Sequence, residues 1–432
     1  MNLQSLKSLV AVFLVGCSTQ NAKHWPSPGE SQSKAPVPGP AAAIDNPYES
    51  VDWAASLQIR STTHIHITDQ AGLNRAAKLG YRHLPISNYY PSTPYYPIDK
   101  IRAGQFRVKQ DFGAVKTING EPHYLAGPIY WNDVIMDKTT GWYDTLPEAQ
   151  RKQLPFKVGD FIFKDIPPNV LFAPNAEHHA FANVGGRVHI NAPGSFYSSG
   201  TFDARNVFRT FWGGGEYSYG TGLPWQTAFR MMLEQLLFAD GGGITINHPH
   251  WSGEKDLPQS LIEEMLDFDE RVLGIEVLNS GDWDLEMWDK LLQTGRRCLG
   301  FFVPDWAVQT DAPDAGGFNV LLVDAFTEHQ CLRAYRRGAF FGSQFGSPDL
   351  VFHRILLDRQ KLTIETSSKA DITFVTDQDR VAVAEATRAV YEIPTDAQGL
   401  PAIKYVRVEA GDGHERIFSQ PIRFGVKRAE SR

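Results

Sequence analysis

Thr62-Thr63-His64-Ile65-His66-Ile67-Thr68-Asp69 sets two imidazoles two positions apart, in a strand-like run that begins near Leu57 and Ile59. On a strand, side chains at i and i+2 share a face, so His64 and His66 project together. Two neutral imidazoles converging in this way make half of a divalent-metal site. A pair of surface histidines on an edge strand would fit the same residues. The decision rests on where the other ligand-type side chains fall.

They fall at strand ends. Glu177 follows Leu171-Phe172, and His189 lies within Arg187-Val188-His189-Ile190. His248 and His250 follow Ile244-Thr245-Ile246-Asn247, with Pro249 stiffening the turn, and Asp305 follows Phe301-Phe302-Val303-Pro304. Any one of these is readily a packing or surface residue. Five separate strands ending in the same way are hard to assign to chance.

Between them the pattern predicts helices over 72–80, 225–238, 261–268, 285–293 and 327–337. The second carries an apolar stripe of Phe229, Met232, Leu233, Leu236 and Leu237 and is stopped by Gly241-Gly242-Gly243. Further strands are expected over 82–87, 272–278, 298–303 and 321–323. This β-α alternation predicts a parallel sheet or barrel with its chemistry at the strand C-termini. Residues 88–170 interrupt it as a long insertion rich in Pro, Tyr and Trp. It holds one expected helix, because Thr145-Leu146-Pro147-Glu148 has capping-box spacing with proline in the first turn. Beyond 347 the period changes to two, as in Ile372-Thr373-Phe374-Val375 and Tyr405-Val406-Arg407-Val408-Glu409, which predicts a small antiparallel β-sandwich domain over 348–432.

The 432 residues, 42% hydrophobic and 21% charged, are enough for two or three folded domains. A net charge of −7 with no basic stripe argues against a nucleic-acid surface. Residues 1–17 have the layout of an export signal: Lys7, an apolar core over 9–15, then Gly16 and Cys17. Leu14-Val15-Gly16-Cys17 resembles the bacterial lipobox. The expectation is an exported cell-envelope lipoprotein on the periplasmic or outer face, held to the membrane by an acylated Cys17. Residues 18–50, rich in Pro, Ser and Ala, would form a flexible tether. Cys298 and Cys331 are expected to be buried free thiols.

With these motifs in place, residues 58–345 resemble the PHP (polymerase and histidinol phosphatase) family of metal-dependent phosphoesterases. His64-Ile65-His66 is similar to its first motif, and Gly80-Tyr81-Arg82-His83-Leu84-Pro85-Ile86-Ser87 to the strand leading to its second. Ile246-Asn247-His248-Pro249, Gly274-Ile275-Glu276-Val277-Leu278-Asn279 and Asp305 match later segments. The resemblance implies a distorted (β/α)7 TIM-like barrel over 51–347 and a β-rich tail. It also implies a set of metal ligands: His64, His66 and Asp305 on one ion, His189 and His248 on a second, and Glu177 bridging.

Two departures stand out. Asn88-Tyr89 replaces Asp-His in the second motif, and Asp305-Trp306-Ala307 replaces Asp-x-His in the last. Both losses fall on a third ion, so two divalent ions (Zn, Mn or Fe) are expected, and Asp69 loses its metal. Glu177 and His250 are the expected catalytic side chains, with His178 a spare imidazole. Arg205, Arg209 and Lys255 are candidates for holding a phosphoester substrate. The same ligand pattern also suits an amidohydrolase-type ester or amide hydrolase. With Asn88, Tyr89 and Ala307 read as degeneration, it suits a surface-anchored binding protein whose aromatic insertion holds a ligand.

Overall fold

The computed structural model describes residues 43–67, 70–87, 167–179, 181, 183–184, 188–195, 224–251, 257–310, 312, 315–344, 350–411 and 416–425, with the backbone of 115–118 and 121–124. The expected leader with Cys17, Asp69, Asn88, Tyr89, the capped helix at Thr145, Arg205, Arg209 and Lys255 lie outside these residues. Among the described residues no helix is long and apolar enough to cross a membrane.

The strands, in chain order, are β1 (Leu57–Ser61), β2 (His83–Leu84), β3 (Val115–Ile118), β4 (Glu121–Tyr124), β5 (Leu171–Phe172), β6 (Glu177–His178), β7 (Ile190–Asn191), β8 (Ile244–Ile246), β9 (Val272–Asn279), β10 (Asp282–Trp283), β11 (Leu299–Val303), β12 (Gly317–Val323), β13 (Phe340–Gln344), β14 (Phe352–Asp358), β15 (Lys361–Thr376), β16 (Arg380–Glu392), β17 (Tyr405–Gly411), β18 (Arg416–Ser419) and β19 (Ile422–Arg423). The helices are α1 (Gln70–Lys78), α2 (Trp225–Glu234), α3 (Gln259–Leu266), α4 (Leu285–Gln293) and α5 (Glu328–Arg337).

Two sheets carry the fold. The first runs β14-β15-β17-β18-β13-β12-β1-β2-β5, and the second runs β10-β9-β8-β7-β6 with β11 parallel to β9. Parallel pairing occurs where β-α alternation predicts it, at β1–β2, β2–β5, β8–β9 and β9–β11. Strand β9, VLGIEVLN, is buried along its whole length, as a strand covered on both faces should be.

The mixed α/β character expected of a distorted (β/α)7 barrel is present, but among the described residues the strands do not close into a barrel. β6, β7 and β8 pair antiparallel, as do β12 and β1, and no ladder among the described residues joins β5 to β6 or β11 to β12. Hydrophobic periodicity reports an element and its covered faces. It does not report strand direction across irregular connections.

Side-chain amides bridge the sheets where the ladder is missing. Asn319 of β12 accepts from Phe302 N–H at 3.1 Å and donates to Phe302 C=O at 3.2 Å. Gln420 does the same for Gly300 at 2.8 Å each way. Asn175 donates to the carbonyls of Thr63 and Pro85 and accepts from Ala192 N–H. Each supplies what a neighbouring strand would have supplied to buried backbone.

Beyond 347 the strands are antiparallel, as the period-two pattern predicts, and β18 pairs with β13, so they continue the first sheet. Phe418 stacks on Phe302 at 4.8 Å. Arg407, fully buried, is clamped by Asp289 of α4 and by Glu409, over the face of Trp288. The described residues form one compact unit.

Smaller differences have local causes. Residues 43–50, the end of the expected tether, are packed: Tyr48 is buried, donating to Phe340 C=O and accepting from Gln420 N–H. α2 ends at Glu234, because Leu237 N–H bonds Gly194 C=O and so leaves the helical ladder. The strand expected over 82–87 is two residues long. Cys298 and Cys331 are buried free thiols, and burial pushes both up to about 12.

Asn319→Leu keeps the volume and removes both amide bonds, leaving Phe302 N–H and C=O buried without partners. A loss of about 2–5 kcal/mol is expected in urea unfolding. A midpoint within error of the parent would remove Asn319 as a seam element.

Candidate metal centre

The site forms just beyond the strand ends. Ile65 lies between two neighbours: its N–H donates to Ser87 Oγ and its C=O accepts from Ser87 N–H. On the other side it pairs in parallel with Asp305, where His66 N–H donates to Asp305 C=O and Asp305 N–H to His64 C=O. His64 and His66 therefore flank Asp305 and share its side. Glu177 N–H donates to Ser87 C=O, which brings β6 to the same point. Asp305 (φ 50°) and His248 (φ 25°) sit in the left-handed region, which side chains with a Cβ rarely occupy and which collects at functional sites.

Four donor atoms converge there. His64 Nε2 lies 3.1 Å from His66 Nε2, 3.4 Å from Glu177 Oε2 and 3.2 Å from Asp305 Oδ1. His66 Nε2 lies 3.1 Å from each of the same two oxygens. Donors set tetrahedrally about 2.0–2.1 Å from a small divalent ion stand about 3.3 Å apart, so the spacing fits. Two groups of ligand atoms that could hold a metal ion share His64: His64, His66 and Asp305 form one, and His64, Glu177 and His248 form the other. His248 Nε2 lies 3.4 Å from Glu177 Oε1.

The electrostatics fit a cation as well. Glu177, Glu276 and Asp305 are buried together, and among the described residues none of the three ion-pairs with a lysine or arginine. Glu177 Oε2 and Asp305 Oδ1 are buried without a well-directed hydrogen bond. Burial alone would drive the imidazoles neutral and the carboxyls up. Instead, burial of His64 is outweighed by Asp305, Glu276 and Glu177, which raise it well above the ordinary histidine value. His66 and His248 are raised in the same way, against burial. Glu177 and Asp305 are held below the usual carboxylate range, the His64 charge overcoming the burial of each. Without a cation, protons have to balance these carboxylates.

Glu276 is the functional residue that sequence reasoning quoted without giving it a role. His64 Nδ1–H donates to its Oε1 at 2.8 Å, and His248 N–H and Asn279 Nδ2–H donate to its Oε2. A carboxylate can only accept, so the proton of His64 sits on Nδ1 and the Nε2 lone pair faces the cluster. The available signal was an acid in the middle of an otherwise apolar strand.

His189 is brought in differently from the ligand role implied by the resemblance. Its Nδ1–H donates to Glu177 Oε1 at 2.7 Å and its ring lies 5.0 Å from that of His248. It belongs to neither ligand group. His250, expected as a catalytic side chain, sits exposed on the 3-10 turn Pro249–Trp251, with its backbone N–H on Asp284, and belongs to neither ligand group. Proximity in sequence to His248 suggested it, and the turn after Pro249 places it at the surface. His178 is buried, and burial pushes it down to about 3, so it is neutral. Trp306 lies flat on His66, 4.2 Å between ring centres and 10° between planes.

Two outcomes follow. Glu276→Gln keeps the shape but weakens the hold on the His64 tautomer, so affinity for a divalent cation should fall about 10–100-fold by chelator competition; an unchanged affinity would remove that role. His64, His66 and His248 carry raised values in the metal-free chain, so a cation has to displace protons, and binding should tighten from pH 6 to pH 8. A flat profile over that range would contradict it.

No family model matches the chain. No curated protein matches it. Among solved structures it is similar to a two-domain protein containing a predicted PHP-like metal-dependent phosphoesterase from Bacteroides vulgatus ATCC 8482, at 14% identity over 83% of this chain and 91% of that one, with a TM-score of 0.37.

Proposed function

We propose that the chain is a metal-dependent hydrolase acting on phosphoesters. His64, His66, Glu177 and Asp305 would hold one divalent cation, and Glu177 would be shared with His248 on a second. The observation that carries this reading is the convergence of the His64 and His66 Nε2 atoms, 3.1 Å apart, with Glu177 Oε2 and Asp305 Oδ1, each carboxylate oxygen lying 3.1–3.4 Å from both. Zn, Mn and Fe all suit a donor set of imidazole and carboxylate. Ions bound there would polarise a phosphoryl oxygen and lower the pKa of a bound water.

The chain's own residues do the rest. Glu276 fixes the His64 tautomer. Glu177, kept anionic and hydrogen-bonded by His189, serves as a ligand and not as a proton acceptor. Ile65 and Ile67, alternating with the two histidines, are fully buried in the apolar core and anchor the run that carries them. The choice of phosphoesters over carboxyl esters or amides rests on the sequence motifs. It is supported by the absence of a buried lysine among the described residues, which a lysine-bridged amidohydrolase site would require. Export and anchoring through Cys17 belong to the same proposal and rest on Leu14-Val15-Gly16-Cys17.

The purified protein should carry about two divalent ions per chain and hydrolyse phosphomonoesters or phosphodiesters, with loss on chelation and recovery on adding metal back. His66→Ala should reduce turnover about 100-fold or more while the far-ultraviolet spectrum is unchanged. Turnover of carboxyl esters alone would move the reading to ester hydrolysis. Absence of metal, with activity indifferent to His66→Ala, would sink it.

A further inference from the structure

We propose that Asn191, Thr245 and Asn247 form a binding site for ordered water, and that this water positions Asn247 against Glu177. The inference goes beyond the hydrolase reading, because the water site stands on the chain's own hydrogen bonding.

Three observations carry it. Asn191, Thr245 and Asn247 are fully buried, and Asn191 Nδ2 and Oδ1, Thr245 Oγ and Asn247 Oδ1 have no hydrogen-bond partner among the described residues. The fold treats its other buried amides differently: Asn175, Asn319 and Gln420 each bond the backbone through both ends of the amide. Buried polar groups left unbonded are costly, and an internal water making about three hydrogen bonds is the common remedy.

The sheet register also gathers these residues. Asn191 is paired with Glu177 on one side and with Thr245 on the other. Residues directly opposite share a face, with Cβ atoms about 4.5–5.5 Å apart. Asn247 stands two positions beyond Thr245, and its N–H donates to His189 C=O, which carries the ladder past β8. By the period of two it shares the same face. A water with hydrogen bonds of about 2.8 Å joins partners up to roughly 5–6 Å apart, which suits this spacing.

Finally, Asn247 needs a second hold. Its Nδ2–H donates to Glu177 Oε1 at 3.5 Å, a long bond that fixes the amide weakly. The opposite amide orientation would set Oδ1 against the carboxylate, acceptor against acceptor. A water that donates to Asn247 Oδ1 and accepts from Asn191 Nδ2–H or Thr245 Oγ–H excludes that orientation. It keeps the Asn247 donor on Glu177, a member of the donor cluster.

The test begins with magnetic relaxation dispersion of isotope-labelled water on the metal-free full chain, which detects waters held inside the protein. Thr245→Val keeps the shape without the hydroxyl and should lose long-lived water, whereas Thr245→Ser should keep it. Asn191→Leu should lose the same water from the neighbouring strand, so the test stands if either variant fails to fold. In zinc titrations against a chelator, Thr245→Val and Asn191→Leu should bind about tenfold more weakly, and Thr245→Ser should match the parent. Parental water content in Thr245→Val and Asn191→Leu would overturn the proposal. So would loss of the water with zinc affinity unchanged, because Asn247 would then not depend on it. Loss of the water in a chain that binds no zinc in any form would uphold the water site and count against the metal reading alone.

Discussion

Three carboxylates buried in one place set the terms for the rest of the molecule. An isolated buried carboxylate is costly, and three facing each other cost more, unless positive charge lies among them. Glu177, Glu276 and Asp305 are surrounded by imidazoles, which are neutral when unpaired and buried. The raised values of His64, His66 and His248 are the protein's answer when only protons are available. Divalent cations at the donor atoms would answer the same charge without protonating any ligand. The burial therefore suits a metal, and His83, pushed down to about 3 by burial, shows what an imidazole of this interior becomes away from that charge.

Holding these groups in register is a backbone problem. Among the described residues the two sheets are not closed by a ladder, yet the converging side chains arrive from both: His64 and His66 beyond β1, Glu177 on β6, His248 beyond β8 and Asp305 beyond β11. Closure is made at the site end, by bonds from Ile65 to Ser87, from Ser87 to Glu177 and between Asp305 and the two histidines. Farther along the seam the amides of Asn319 and Gln420 take over. Side-chain amides tolerate irregular strand spacing that a ladder would not. That tolerance lets Asp305 and His248 keep left-handed conformations at the ends of otherwise regular strands.

Much of this was legible in the sequence, for identifiable reasons. His64-x-His66 and the strand-end positions of Glu177, His248 and Asp305 follow from period-two geometry and from where turns follow apolar runs, and the structure brings them together. Glu276 received no role because a single acid in an apolar strand announces nothing by spacing; besides the nearby Asn279, its partners, His64 and the backbone of His248, are 212 and 28 residues away. That His250 stands exposed while His248 is buried was not legible, because sequence adjacency says nothing of which way a turn after proline faces. The antiparallel pairing of β6, β7 and β8 was not legible, because such strands leave the same apolar trace as parallel ones. Amide seams are likewise silent, since Asn319 and Gln420 look like ordinary polar residues until the strands they serve are known.

The C-terminal strands gain a purpose from the same constraint. Asp305 has to stay placed although it hangs from the end of β11, a strand bonded along one edge only, to β9. The other edge is braced by Asn319 at Phe302 and by Gln420 at Gly300, and Phe302 is pinned between Phe418 and Gly342, where a Cβ would come within 1.9 Å of the ring. Gln420 and Phe418 both belong to the segment beyond 347. Those strands therefore complete the support of a ligand strand, and the buried Arg407–Asp289 clamp fixes them to α4 on the same side. A side chain held in this cluster on a strand paired along one edge requires such a brace, and here the tail of the chain provides it.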